Sequence, residues 1–156
     1  MSEHIDDQPD LHRAIARIAR DAFADHDWDA IRIHFRETGR ASSARVELLH
    51  GQSWHHERIR SVPLMDAFHE LRRAMSAPEQ GAWMSYDWHL DRAGTVGGTA
   101  NWDRRVWNTS GDPFTQPDVA NPMPSDEMWA LDLEQYPRSP AYMPEWLASI
   151  VSRRGH

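Results

Sequence analysis

The sequence predicts an α+β fold, an antiparallel meander sheet of four to five strands covered by N-terminal, central and C-terminal helices. Three observations predict it. Several short runs alternate apolar and polar residues with period 2 and end at Gly-containing turns. Other stretches space their apolar residues three and four apart. The two kinds come in blocks of helix, strands, helix, strands and helices, whereas a parallel sheet needs strict strand–helix alternation. At 156 residues the chain is long enough to bury a core and short enough to be one domain, residues 1–156.

Leu11, Ile15, Ile18 and Ala22 give the first helix, from about Asp10 to Ala24 with Asp10 as its cap. Ile31, Ile33 and Phe35 alternate with Arg32, His34 and Arg36, the pattern of a strand buried on one face. Thr38-Gly39-Arg40 supplies a turn, and Val46 and Leu48 mark a second strand over Arg45 to His50. Gly51-Gln52 turns the chain again, towards a weaker third strand over Ser53 to Ile59. Ser61 before Pro63 opens a helix whose stripe is Leu64, Phe68, Leu71 and Met75; Ala77-Pro78 closes it. Met84, Tyr86, Trp88 and Leu90 form the strongest strand. Asp91-Arg92-Ala93-Gly94 turns it into a partner over Thr95 to Asp103, where Gly97-Gly98 marks a bulge or a close backbone approach. Ser125 caps a helix that carries Asp126 and Glu127 in its first turn, and Pro144 opens a last helix that buries Trp146, Leu147, Ile150 and Val151. Among the eight tryptophans, Trp88 and Trp146 are expected in the core, and Trp54 and Trp83 at exposed positions.

Charge is distributed unevenly. The 32 residues from Val106 to Pro137 hold six acids (Asp112, Asp118, Asp126, Glu127, Asp132, Glu134) and no base, nearly the whole net charge of −7. A local negative field favours a cationic partner, repels nucleic-acid phosphates and speeds capture of a basic protein surface. Residues 108–124 contain four Xaa-Pro steps and read as a proline-rich extended loop, longer than an ordinary connection. Trp107, Phe114 and Trp129 lie among the acids as apolar anchors of the kind that dominate interfaces.

Composition excludes several functions. There is no Cys, so disulfide frameworks, thiolate metal sites and cysteine nucleophiles are ruled out. All 17 basic residues are Arg, which rules out a Schiff-base or phosphate-loop lysine. Met1 to Asp10 is acidic and carries no apolar run, unlike a signal peptide, and no stretch approaches 18 apolar residues, so cytoplasmic residence and no membrane contact are expected.

The residues Trp28-Asp29-Ala30-Ile31, the segment from Trp83 to Gly94 (WMSYDWHLDRAG), Asn101-Trp102-Asp103, Tyr136-Pro137-Arg138 and Met143-Pro144-Glu145-Trp146-Leu147 together resemble the YezG-type immunity (antitoxin) family, over about Leu11 to Leu147. The resemblance implies a small cytoplasmic α+β protein without catalytic residues, metal or cofactor. It would bind and neutralise a cognate toxin domain of a polymorphic toxin system, often a nuclease. The chain departs from the commoner pattern in its proline-rich insertion between Trp107 and Ser125 and in its ten His.

Other chemistry is weighed on the same residues. His50, His55 and His56 cluster near His34, yet no HExxH or helical His pair with a carboxylate accompanies them. Ser42, Ser43, Ser53 and Ser85 lack a nucleophile elbow. Arg32, Arg36, Arg45, Arg104 and Arg105 could hold an anion on an open sheet face, against ordinary pairing with Glu47 or Asp103. The expected site is a toxin-binding surface of Trp107, Phe114, Asp118, Asp126, Glu127, Trp129, Asp132 and Glu134, serving a 1:1 complex with no nucleic acid or membrane partner. The alternative is a small-molecule or aromatic-platform binding module on the sheet face.

Overall fold

The computed structural model describes residues 8–59, 61–105 and 124–154. The expected loop 108–124, apart from Pro124, and the expected site residues Trp107, Phe114 and Asp118 lie outside the described residues.

Five strands, β1 (Ala30–Thr38), β2 (Ala41–His50), β3 (Ser53–Glu57), β4 (Ser85–Asp91) and β5 (Val96–Asn101), form one antiparallel sheet in the order β3-β2-β1-β4-β5. The meander β1-β2-β3 grows from one side of β1. Helix α2 (Val62–Met75) then returns the chain to the other side, where β4 pairs with β1 and the β4–β5 hairpin completes the sheet. Register follows burial: Ile33 lies opposite Val46 and Trp88, and Phe35 opposite Ala44 and Tyr86, so one face is apolar throughout. Helices α1 (Pro9–Ala22) and α2 cover that face, with Phe35 stacked on Phe68 at 5.2 Å between ring centres.

In α1, Pro9 occupies the first turn, where its missing N–H costs nothing. Gln8 is the residue before the helix, and Asp10 lies inside the first turn and pairs with Arg13. The buried positions are Ile15, Ala16 and Ala19, followed by Phe23; Ala22 faces solvent. This is a rotation from the expected stripe, which small Ala side chains permit by letting the helix lie close to its neighbours.

In α2, Ser61 Oγ accepts from the Leu64 N–H at 3.2 Å, and Leu64, Phe68, Leu71 and Met75 are buried as the spacing requires. Ser61→Ala is expected to cost about 1 kcal/mol, read as a lower urea midpoint at unchanged slope.

Gly97 and Gly98 are a close approach and not a bulge, since the β4–β5 register runs unbroken through them. A Cβ on Gly98 would sit 2.7 Å from the Asp87 carbonyl oxygen.

A second, smaller core lies at the β1–β2 turn. Helices α3 (Asp126–Gln135) and α4 (Glu145–Arg154), joined through a 3-10 turn at Pro140–Tyr142, bury Met84, Trp129, Leu147 and Ile150, with Trp146 edge-on to Trp129 at 4.9 Å. Ser125 precedes α3 as expected, but its carbonyl and not its hydroxyl does the capping, accepting from Met128 N–H at 2.9 Å. Three expectations are corrected here. Trp83 is fully buried, because it precedes β4 and packs edge-on to Phe35 beneath α2. Met84 joins the second core and not the Tyr86 face. Val151 points outward, since α4 packs on one side only.

Candidate functional site

Helix α3 carries five of the expected site residues, and its anchorage decides what each can do. Arg72 belongs to the buried side of α2 and has no exposed surface. Its guanidinium forms a bidentate pair with Asp132 (Nη1–Oδ1 2.7 Å, Nη2–Oδ2 2.9 Å), and it also donates to Glu37 of β1 at 3.1 Å and to the Trp83 carbonyl at 2.8 Å. Burial acts to lower the Arg72 pKa, but Asp132 and Glu37 outweigh it and hold the group above its ordinary value. Asp132 Oδ1 also accepts from the Gly39 N–H at 3.1 Å. Gly39 is required twice over: its φ is +59°, and a Cβ there would lie 2.6 Å from the Met128 carbonyl oxygen. The turn between β1 and β2 therefore fits against α3 with no room to spare.

Arg138 makes a second clamp. Its guanidinium donates to the carbonyls of Ala82, Trp102 and Tyr142 and to Asp103 Oδ1. Burial lowers the Arg138 pKa and Asp103 opposes that shift. The Trp146 indole donates to the Asp103 carbonyl at 2.7 Å. Trp83, Asp103, Arg138 and Trp146 thus hold the fold together.

The structure divides the expected site. Trp129 is fully buried and Asp132 is spent on Arg72, so neither is an exposed anchor or a steering charge; both belong to the inward side of α3. Asp126 is half-buried and faces Arg153 of α4 at 3.4 Å. Glu127 and Glu134 are exposed and engage no partner among the described residues. These two are seven positions apart, about 10 Å along one side of the helix. Sequence reasoning missed Arg72, Glu37 and Arg138. Arg72 left a signal, a charge next to Leu71 on the stripe that also holds Phe68 and Met75.

Beside them, α3, the segment after it and α4 border a shallow, open groove of about 340 Å³, lined by Ala130, Leu133, Pro137, Met143 and Val151 together with the charged Glu134 and Arg138.

The polar face of the sheet is arranged differently from the open platform expected. Arg32 and Arg45 both bind Glu47, Arg32 through Nε at 2.8 Å, and the Arg32 guanidinium lies 4.1 Å from the centre of the Trp54 ring. His34 Nδ1 lies 2.5 Å from Asp87 Oδ1. His34 and Glu47 are only 2% and 5% exposed, so the middle of this face is not open. Asp103, weighed above as a partner for the strand arginines, pairs with Arg138 at 3.1 Å.

No helix among the described residues is long and apolar enough to cross a membrane. No protein-family model matches the chain, and no curated protein is significantly similar to it.

Proposed function

We propose that this chain is an immunity protein that binds a cognate toxin domain, a nuclease being one class it would suit, and occludes a basic active-site cleft by presenting acid to it. The observation that carries the reading is the display of Glu127 and Glu134 on a helix fixed to the core through Trp129 and the Arg72–Asp132 pair. A rigid, unpaired pair of carboxylates attracts cations without first breaking internal bonds, and it loses little freedom on binding. The resemblance to the YezG-type family agrees with this, because the residues that carry it are structural and leave the rest of the surface free to vary between partners. Asp126 adds to the field from the first turn of α3, and Trp107, Phe114 and Asp118 extend the proposed contact along the preceding segment. The complex is 1:1 and cytoplasmic in this reading, and the chain acts by binding and not by turnover.

The alternative, a stacking platform on the sheet, is disfavoured because Arg32 already lies over Trp54. The test is recovery of tagged chain from its own cells, followed by mass spectrometry. A basic toxin domain recovered at near-equal stoichiometry, whose activity the pure chain suppresses, is the expected result; a chain recovered bare or with a small molecule overturns it. Its association rate with that domain is expected to fall at least tenfold between low and high salt.

A further inference from the structure

We infer that the groove between α3 and α4 is where the partner inserts an apolar side chain, flanked by two cationic side chains that reach Glu127 and Glu134. This rests on the immunity reading and adds the place and the chemistry of the contact.

Three observations converge on the groove. Most of its lining is apolar, Glu134 and Arg138 being the exceptions, and Val151, one of its lining residues, is 41% exposed. Among the described residues only Val62, Tyr142 and Val151 are large hydrophobics left so exposed, and Tyr142 adjoins Met143 of the groove in sequence.

Charge names the occupant. Glu127, Ala130 and Glu134 stand at i, i+3 and i+7, so both carboxylates share a stripe of α3 with a groove residue. Neither has a partner among the described residues. Two described cations of this region are already engaged: Arg153 faces Asp126, and Arg138 bonds to Asp103 and three carbonyls. The complementary surface is an apolar residue between two Arg or Lys about 10 Å apart, the spacing of i and i+7 on a partner helix.

The groove is also preformed. Trp129, Leu147 and Ile150 of the second core support its two helices, so insertion needs no reordering of either. At about 340 Å³ it is at the small end of ligand sites, suited to a side chain and not to a whole cofactor.

The test uses as its probe the basic toxin domain recovered with the chain from its own cells, inactivated and purified. Binding kinetics are measured for the wild type, Val151→Arg, the double variant Glu127→Lys/Glu134→Lys, and Val62→Arg as an exposed control away from the groove. All these positions are exposed, and thermal melts confirm folding. Val151→Arg is expected to raise Kd at least tenfold, mainly through faster dissociation. The double variant is expected to slow association at least tenfold and flatten its salt dependence, and Val62→Arg to bind as wild type. Tight wild-type binding that neither groove variant weakens overturns the groove and leaves the immunity reading in place. Absence of wild-type binding overturns both. A Val151-dependent dimer of the isolated chain overturns the toxin as occupant and assigns the groove to a second copy.

Discussion

Asp132→Ala is expected to destabilise the protein by about 3–5 kcal/mol, the range for breaking a buried ion pair by removing one partner. The physical reason is the state it leaves behind. Arg72 stays fully buried with a guanidinium that its fork of donors no longer matches, held by Glu37 and one carbonyl. The Gly39 N–H loses its acceptor as well, at a turn that has no space to rearrange. Desolvation of the unmatched guanidinium dominates this loss, so part of it is expected to be recoverable. Replacing both partners with apolar residues of similar size, Arg72→Met with Asp132→Leu, is expected to restore that part and not the rest, because the Gly39 N–H, the Trp83 carbonyl and Glu37 still lack the partners that Asp132 and Arg72 give them in the wild type. Urea denaturation of the two single variants and the double variant gives the coupling directly. A single-variant loss below about 1 kcal/mol would mean that water reaches the pair and that α3 is held by Trp129 alone. Under the proposed function, binding of a toxin domain would separate the roles further: Asp132→Ala is expected to weaken it through a loosened α3, whereas the apolar double variant, which keeps Glu127 and Glu134 in place, is expected to bind nearly as the wild type.

What could be read from the sequence was local or strictly periodic. The α2 cap was legible because Ser61 and Pro63 act within one helical turn. The sheet was legible because Ile31, Ile33 and Phe35 repeat against a single buried face. The period-2 rule failed at Trp83 and Met84, which lie just before β4 begins: the Met84 backbone still bonds to Asn101 and Glu37, but a second core beside the sheet gives its side chain a buried place that alternation along one strand does not reveal. Val151 failed for a different reason. A helix covered on one side buries a narrower stripe than spacing suggests, and Leu147 and Ile150 already fill it. The candidate site was legible as charge but not as geometry. Composition grouped Trp129 and Asp132 with Glu127 and Glu134, yet 129 and 132 share the inward side of one helix and 127 and 134 the other. The Arg72–Asp132 pair spans 60 positions, and no local rule connects them. Arg72 and Asp132 were visible only as charges on apolar stripes, a pattern that signals a buried partner without naming it.

Arg138→Ala is expected to cost about 3 kcal/mol or more and to lower the melting temperature by about 6 °C or more. Arg138 is the point where three separate segments meet: the approach to β4 through the Ala82 carbonyl, the end of β5 through Trp102 and Asp103, and the 3-10 turn through Tyr142. Asp103 is largely exposed and regains water when the guanidinium goes, so its share of the loss is small. Most of the loss comes from the carbonyls, since Ala82 is buried and each acceptor left unpaired costs about 1–3 kcal/mol. Arg138→Lys is expected to recover little, because an ammonium is a single point with three donors and cannot span acceptors on three sides; burial, which already lowers the guanidinium, would also drive a lysine towards its neutral form. Gly81 provides an independent check. Its φ is +78° and a Cβ would come within 2.7 Å of Arg138 Cγ, so Gly81→Ala must push the same clamp aside. If the clamp is the cause, Gly81→Ala and Arg138→Ala are non-additive in denaturant melts, the double variant losing little more than the worse single one. Additive losses would instead place the cost of Gly81→Ala in its own backbone and reduce Arg138 to a set of independent bonds.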